Sequence, residues 1–316
     1  MKNARIQKAT VNKILFFRKN LKWFCFASLL IKGLIWHLHQ SEMVSLRIPT
    51  ISGKHEIIQL PKQDKELLEH FFQVIMISDS GFYTLLGSKP MTLSSYNKPF
   101  SLVSWRKFYY SLLPDNIEMY RAWKVWLKYQ HLFNHPRFAF WDEANPWGME
   151  DDYIILFVNQ AEANSMIKRY DKDFSTVLQK NQTTIEELIE QSKKQPLFLK
   201  GFKKHEGLIG TLLGFGRENA WLFHRRSLGE KISLSGFLDP ENHIEILQEF
   251  GDHLHSVKNK KNRFSVFFLP CFVADINSLE TKTLRETYEL SRKKIIALYE
   301  GKDFLETTLN FLCSDP

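Results

Sequence analysis

Cysteine is scarce in this chain, and its spacing gives no site. Cys25, Cys271 and Cys313 are the three cysteines among 316 residues. An odd number without C-x-x-C pairs indicates neither a disulfide framework nor a zinc cluster. Cys271, inside the run FSVFFLPCFVAD, is expected to be a small buried hydrophobic residue. We therefore expect no metal site and no cofactor.

Glycine and proline are also modest, at 14 and 11 residues, which argues against long disorder. The hydrophobic fraction of 44% is ample for a large core. The motifs HExxH, GxSxG and SxxK and the protein-kinase set are all missing. No reaction can therefore be read from a complete catalytic motif.

Acidic residues are missing from positions 1–41, which carry eight lysines and arginines. The net charge of the whole chain is +8, so residues 42–316 are electrically balanced. A balanced body gives no support for a general affinity for phosphate backbones. We expect no nucleic-acid partner, and we assign the basicity to a leader.

The leader, residues 1–41, combines this charge with a short apolar run, Trp23–Ile31. A membrane-spanning helix needs about 20 apolar residues, so the run is short for one. A basic segment before a short apolar one is typical of a signal peptide or an uncleaved signal-anchor. A helix lying on the membrane surface, an ordinary soluble helix and a false start before Met43 stay open. The partner predicted for this leader is a membrane.

The body, residues 42–316, is predicted to be one globular α+β domain. We expect it to be rich in helices, with a mixed or antiparallel sheet of about five to seven strands. Residues 44–60 read as a short strand pair, and 137–143 and 152–159 as two strands around a loop. Residues 81–96 are expected to form a β-hairpin that turns at GSKP.

The stretch HEGLIGTLLGFGRENAWLFHRR, residues 205–226, holds four glycines among large apolar residues. It fits neither the G-x-G-x-x-G nor the P-loop pattern, so we do not expect it to bind nucleotides. On a helix, Gly207, Gly210 and Gly214 share one side and would let another element come close. Gly216 is predicted to end or kink this helix, which then resumes.

A candidate site lies over Gly214–Asn219. Charged groups between apolar blocks must be paired or hydrogen-bonded. One interpretation is an internal ion pair that fixes this turn to a neighbouring helix. The other is a cleft with Glu218 as a catalytic acid or base. The binding residues of such a cleft would be Arg217, Asn219, Trp221 and Arg225.

Two other clusters are interpreted as structural. The segment WDEANPWGMEDD, residues 141–152, departs from EF-hand spacing and is expected to be an acidic turn. Its Trp141 and Trp147 are expected to pack, with a binding lip as the alternative. His253 and His255 are predicted to lie on a helix, where their spacing points them apart and disfavours a metal.

Four segments carry a resemblance. They are DYIILFVNQAEANSMI with DFSTVLQK, EGLIGTLLGFGRENAWLFHRR, FFLPCFVADINSLET and YELSRKKIIALYEGKDFLETTLNFL. Together they resemble an uncharacterised family of chlamydia-related intracellular bacteria, over roughly residues 60–312. The resemblance implies an exported or envelope location and no particular activity. Cys25 lacks the small preceding residues of a lipid-attachment site, which argues against anchoring through it.

The sequence leaves two functions open. The first is an exported or membrane-tethered envelope protein with a binding or structural role and an unidentified protein or small-molecule partner. The second is a hydrolase-type enzyme that uses Glu218. A third possibility is that the leader binds an anionic membrane without translocation. The body would then stay in the cytoplasm.

Overall fold

The structure is a computed structural model and describes residues 42–49, 55–98, 114–148, 151–232, 234, 236–238 and 268–314. The predicted leader, the predicted helix over 243–257 with its two histidines, and the first five residues of the apolar run at 263–274 lie outside these residues. Within the described residues, no helix combines the length and the apolar character needed to cross a membrane.

The described elements are mixed, with helices predominating, as predicted. The strands are β1 (Met43–Pro49), β2 (His55–Pro61), β3 (Met91–Asn97), β4 (Phe138–Ala144), β5 (Asp152–Asn159), β6 (Gly236–Phe237) and β7 (Val273–Ala274). The helices are α1 (Lys62–Gln73), α2 (Phe82–Leu85), α3 (Pro114–Tyr129), α4 (Gln160–Arg169), α5 (Asp171–Leu178), α6 (Ile185–Ser192), α7 (Glu206–Leu212), α8 (Arg217–Ser227), α9 (Leu279–Tyr299) and α10 (Phe304–Cys313).

The chain divides into two compact units. The smaller unit ends at Leu46 and resumes over Ile57–Glu66, and the larger comprises Arg47–Glu56 and Leu67–Pro316. In the smaller unit, Lys62 forms an ion pair with Glu42 at 2.8 Å. The candidate site belongs to the larger unit. The proposed division into a leader and one globular domain stays a prediction.

The strands are spread over three small sheets in the described residues, which differs from the single sheet we expected. β1 pairs with β2, β6 pairs with β7, and the third sheet has the order β3-β5-β4. β5 is antiparallel to both of its neighbours. Because β5 is covered on both faces, its sequence YIILFV is a continuous apolar run rather than an alternating one.

Two apolar clusters cover the faces of β5. Ile154, Leu156 and Val158 pack into a core with α4, α5, α6 and α7. On the other face, Phe157 stacks on Phe140 of β4 with ring centroids 4.5 Å apart. Further aromatic rings continue this second cluster, namely Phe71, Phe72, Trp126 and Phe133.

Several helices begin where the sequence predicts, because a short polar side chain caps each one. Asn159, Thr184, Ser278 and Asp303 each accept a hydrogen bond from the backbone N–H three residues later. Such caps satisfy amides that have no partner within the helix and contribute about 1 kcal/mol each.

The hairpin predicted over 81–96 is wrong in its first half. Phe82–Leu85 form the short helix α2, whose side chains are buried. Only Met91–Asn97 is a strand, and it pairs with β5, more than 60 residues later in sequence. Gly and Pro at GSKP therefore mark a turn between a helix and a strand. The local pattern could not reveal the distant pairing partner.

Candidate functional site

The glycine-bearing stretch forms two helices, α7 and α8, joined by a tight turn. The turn is made by Gly214 and Gly216, whose φ angles of +77° and +81° are in the range that favours glycine. The predicted end of the first helix and its resumption are thus confirmed. α7 ends at Leu212, somewhat earlier than expected.

The small residues let α7 and α8 pack closely. A Cβ atom on Gly210 would lie 2.9 Å from the Cβ of Ala220, and one on Gly207 would lie 3.0 Å from the ring of His205. A side chain at Gly210 would push the helices apart. The predicted close approach therefore occurs, and the approaching element is the next helix in the chain.

The start of α8 is capped by a carboxylate from α9. Glu280 accepts hydrogen bonds from the backbone N–H groups of Arg217 (2.9 Å) and Glu218 (2.8 Å). A Cβ atom on Gly216 would lie only 2.6 Å from Glu280 Oε2. Partial burial raises the pKa of Glu280, and the two N–H groups act in the opposite direction. Gly216 is thus required by backbone angle and by space.

Asn219 connects three segments next to this cap. Its amide N–H groups donate to the carbonyl of Phe215 and to Thr281 Oγ1 (2.9 Å), and its carbonyl accepts from the backbone N–H of Asp275 at 3.0 Å. The side chain is 1% exposed. Both ends of the amide are engaged, so Asn219 has a structural role here.

Arg217 forms an ion pair with a neighbouring helix, as one of our two interpretations predicted, but its side chain is 41% exposed, so the pair is not internal. Its guanidinium donates to both carboxylate oxygens of Asp173 on α5, at 2.5 and 3.0 Å. It also lies over the rings of Tyr170 and Trp221. The Asp173 carboxylate raises the pKa of Arg217. This planar, two-point geometry fixes α8 to α5.

The other predicted site residues point elsewhere. Glu218 is exposed. Arg225 forms an exposed ion pair with Glu230 at 2.5 Å. Trp221 packs edge-on against His205, with ring centroids 5.0 Å apart. Of the five predicted residues, Arg217 and Trp221 thus contact each other, Glu218 and Arg225 face solvent, and Asn219 lines a cavity.

That cavity has a volume of about 530 Å³ and lies beside the α7–α8 pair. Its size is typical of small-molecule pockets. Trp147 and Phe223, 48% and 44% exposed, also line it. Most of the remaining lining is apolar, including Leu93, Ile209, Leu213, Phe215, Ala220, Phe272 and Val273. Trp147, for which we preferred a packing role, is thus also part of a pocket wall.

Glu206 is the one charged side chain among the described residues that line the cavity. It lies in the first turn of α7, and its Oε2 atom is occluded from solvent without a hydrogen-bond partner. Sequence reasoning overlooked Glu206, because its position beside His205 resembles an ordinary helix start. The sequence did contain an indication of its role, because Glu206 is an acidic residue at the start of an otherwise apolar helix.

Cys271 also lines the cavity and is exposed. Our expectation of a buried position is therefore wrong. Its apolar neighbours in sequence suggested a buried strand, but the described strand β7 begins only at Val273. Cys313 is buried, and burial raises the pKa of its thiol to about 12, so it is not a nucleophile at neutral pH.

His205 caps α7 through a nitrogen lone pair. Its Nδ1 atom accepts from the backbone N–H of Leu208 at 3.3 Å, and its ring packs against the tilted ring of His224 with centroids 3.8 Å apart. Partial burial, followed by the effect of His224, lowers the pKa of His205, while Asp173 and Glu206 act in the opposite direction. A protonated Nδ1 could not accept the capping hydrogen bond.

A second buried polar cluster, centred on Lys89, lies next to Gly214. The Lys89 ammonium donates to Thr92 Oγ1 at 3.0 Å and to the carbonyl of Asp79 at 3.3 Å. Burial lowers the pKa of Lys89 to about 8 and raises that of the Asp79 carboxyl to about 7. Tyr288 of α9 donates to the Gly214 carbonyl at 2.7 Å. No motif marked Lys89, which looks like a surface residue of a turn.

The acidic turn over 141–152 is structural in its described part. Glu143 is 6% exposed and accepts hydrogen bonds from the backbone N–H groups of Leu197 (2.7 Å) and Phe198 (2.9 Å). Asp142 accepts a hydrogen bond from Tyr96. In the part of the chain that the structure describes, no three His, Cys, Asp or Glu side chains group as metal ligands would.

No protein-family model, no curated protein and no solved structure matches this chain. Its function must therefore be inferred from the geometry of the α7–α8 region and the neighbouring cavity.

We expect Gly216→Ala to lower the free energy of unfolding by roughly 2–4 kcal/mol, because it adds backbone strain and displaces the half-buried carboxylate that caps α8. Gly229→Ala is the matched control, since Gly229 also has a positive φ (+96°) but open space around it. Its cost should be about 1 kcal/mol, the backbone strain alone. Urea unfolding measures both. Equal losses would mean that the contact with Glu280 does not constrain this position.

We expect the stability due to His205 to disappear in acid. Its folded-state pKa is lowered, so the unfolded chain binds more protons. This stability is present above the unfolded-state pKa of about 6.5 and is lost as the pH falls through the folded-state value. His205→Asn keeps a capping oxygen that does not titrate. Urea unfolding from pH 8 to pH 5 should show the wild type losing more stability than this variant, whereas parallel profiles would contradict the assignment.

Proposed function

We propose that the protein binds a small apolar molecule in the cavity beside α7 and α8. The observation that carries this proposal is the cavity itself, with a volume of about 530 Å³ and a lining that is apolar apart from a few polar groups. Most ligand pockets are concave and apolar with few polar groups that orient the ligand. Burial of apolar ligand surface would supply the binding free energy.

The walls of the cavity are held by contacts that do not depend on a ligand. Gly210 keeps α7 against α8, and Asn219 ties α8 to residue Asp275, which follows the wall segment 271–273. A pocket with fixed walls loses little freedom when it is filled, which favours affinity. This supports a binding role over a purely structural one.

The hydrolase alternative, with Glu218 as acid or base over Gly214–Asn219, stays a prediction. The Glu218 carboxylate is exposed and is not part of the cavity wall, and the Asn219 amide is engaged in structural hydrogen bonds. Because a general acid or base usually works in a site that shields it from water, these positions favour the binding role.

We expect the neutral fluorescent probe N-phenyl-1-naphthylamine to bind at one saturable site with enhanced emission. Leu213→Trp should fill part of the cavity and weaken binding by about tenfold or more. Leu290→Trp, on α9 and 60% exposed, is the matched control and should bind like the wild type. Urea unfolding confirms that both variants fold. Unchanged binding by Leu213→Trp would place the probe elsewhere and remove support for the cavity.

We also propose that the protein is exported or membrane-tethered at the cell envelope. The support is the segregated charge of residues 1–41, which carry all of the net +8, and the resemblance given above. By the positive-inside rule, the basic flank would stay cytoplasmic and the body would lie outside.

A topology reporter that is active only outside the cytoplasm, fused after residue 60, should be active. The same fusion without residues 2–41 gives the baseline. N-terminal sequencing of the native protein then separates a retained signal-anchor from a cleaved signal peptide. An inactive reporter would overturn export and indicate a cytoplasmic arm or a false start.

A further inference from the structure

The described wall of the cavity contains one charged side chain, Glu206, and no side chain of opposite charge. Glu206 Oε2 is occluded from solvent and accepts no hydrogen bond within the described residues. A buried acceptor without a donor is unfavourable by about 1–3 kcal/mol, and by more when it is charged. Glu206 is also the one charged side chain in the described wall of the cavity, so a ligand with a hydrogen-bond donor is the complement that this wall lacks.

The other acceptor in the wall is already engaged. The Asn219 carbonyl accepts from the backbone N–H of Asp275, and its amide N–H groups donate to Phe215 and Thr281. Trp147, a further wall residue, has only a donor in its side chain. Of the carboxylate and amide side chains in the described wall, Glu206 is therefore the one with an oxygen that lacks a hydrogen-bond donor.

The charge of this group restricts the ligand further. No cationic side chain lines the cavity in the described part of the chain, and no ion pair involves Glu206 there. An ionised carboxylate has acceptors only, so its complement is an N–H or O–H donor, and a cationic donor binds most strongly in apolar surroundings. An anionic head group would instead face a negative charge across a medium that screens it poorly.

Resting on the proposed binding function, we propose that Glu206 selects the ligand class: an apolar molecule whose head group is an amine or another hydrogen-bond donor, and not a carboxylate. The apolar body fills the space between Leu93, Leu213 and Phe272, and the head group bonds to the Glu206 carboxylate at the start of α7.

The test is a displacement series with one chain length and three head groups. Octylamine, octanol and octanoate compete with N-phenyl-1-naphthylamine for the full-length protein at pH 7.5 in 0.15 M salt. The amine should bind at least about tenfold more tightly than the carboxylate, with the alcohol between them. Non-specific attraction works against this order, because the net charge of +8 favours the anion.

Glu206→Gln should reduce the amine-to-carboxylate ratio to about threefold or less, because it removes the charge and keeps the size of the side chain. The matched control is Glu162→Gln. Glu162 is also half-buried in the first turn of a helix, α4, but lies outside the cavity wall. This control should keep the wild-type ratio. Urea unfolding verifies that both variants are folded.

The outcomes separate this inference from the proposed function. If all three compounds displace the probe equally, or if Glu206→Gln keeps the ratio, the cavity binds apolar chains but Glu206 does not select them. A preference for octanoate would also overturn the inference. If neither the probe nor any octyl compound binds, the proposed binding function is wrong, and the inference that rests on it is wrong as well.

Discussion

The carboxylate of Glu280 at the start of α8 is the interaction on which the candidate region depends. It satisfies two backbone N–H groups, and it fits only because Gly216 has no side chain. The adjacent Thr281 accepts a hydrogen bond from the Asn219 side chain. Two successive residues of α9 therefore hold the first turn of α8. This junction sets the position of α8 against the segment 271–275, and the cavity lies between these elements.

Charged and polar groups in this region mainly hold elements together. Arg217 is bound to Asp173, Glu143 caps a turn at Leu197, and Lys89 lies in a buried cluster below Gly214. Each of these groups would be unfavourable in an apolar core without its partners. Glu206 differs in its location, because it is the one charged side chain in the described wall of an otherwise apolar cavity. This location is the basis for assigning a ligand contact.

The sequence predicted much of the local secondary structure but few of the long-range contacts that hold the helices and strands together. Caps at Thr184 and Ser278, the strands around the 145–151 loop and the break at Gly216 follow from short-range rules. The pairing of β3 with β5 and the contact of Glu280 with α8 join residues about 60 apart, and no local pattern encodes them. The predicted site residues lie on α8 beside the cavity, whereas Glu206, at the start of α7, was not among them.

The position of Glu280 also has a consequence for folding during synthesis. Glu280 follows Arg217 by 63 residues, so α8 leaves the ribosome well before the carboxylate that caps it. At about 5–20 residues per second, the start of α8 waits roughly 3–12 seconds for its partner. During that time Gly216 and its neighbours have exposed amides, and the apolar faces of α7 and α8 lack the wall formed by 271–273. The α7–α8 pair is thus a segment that chaperones would meet before the chain is complete.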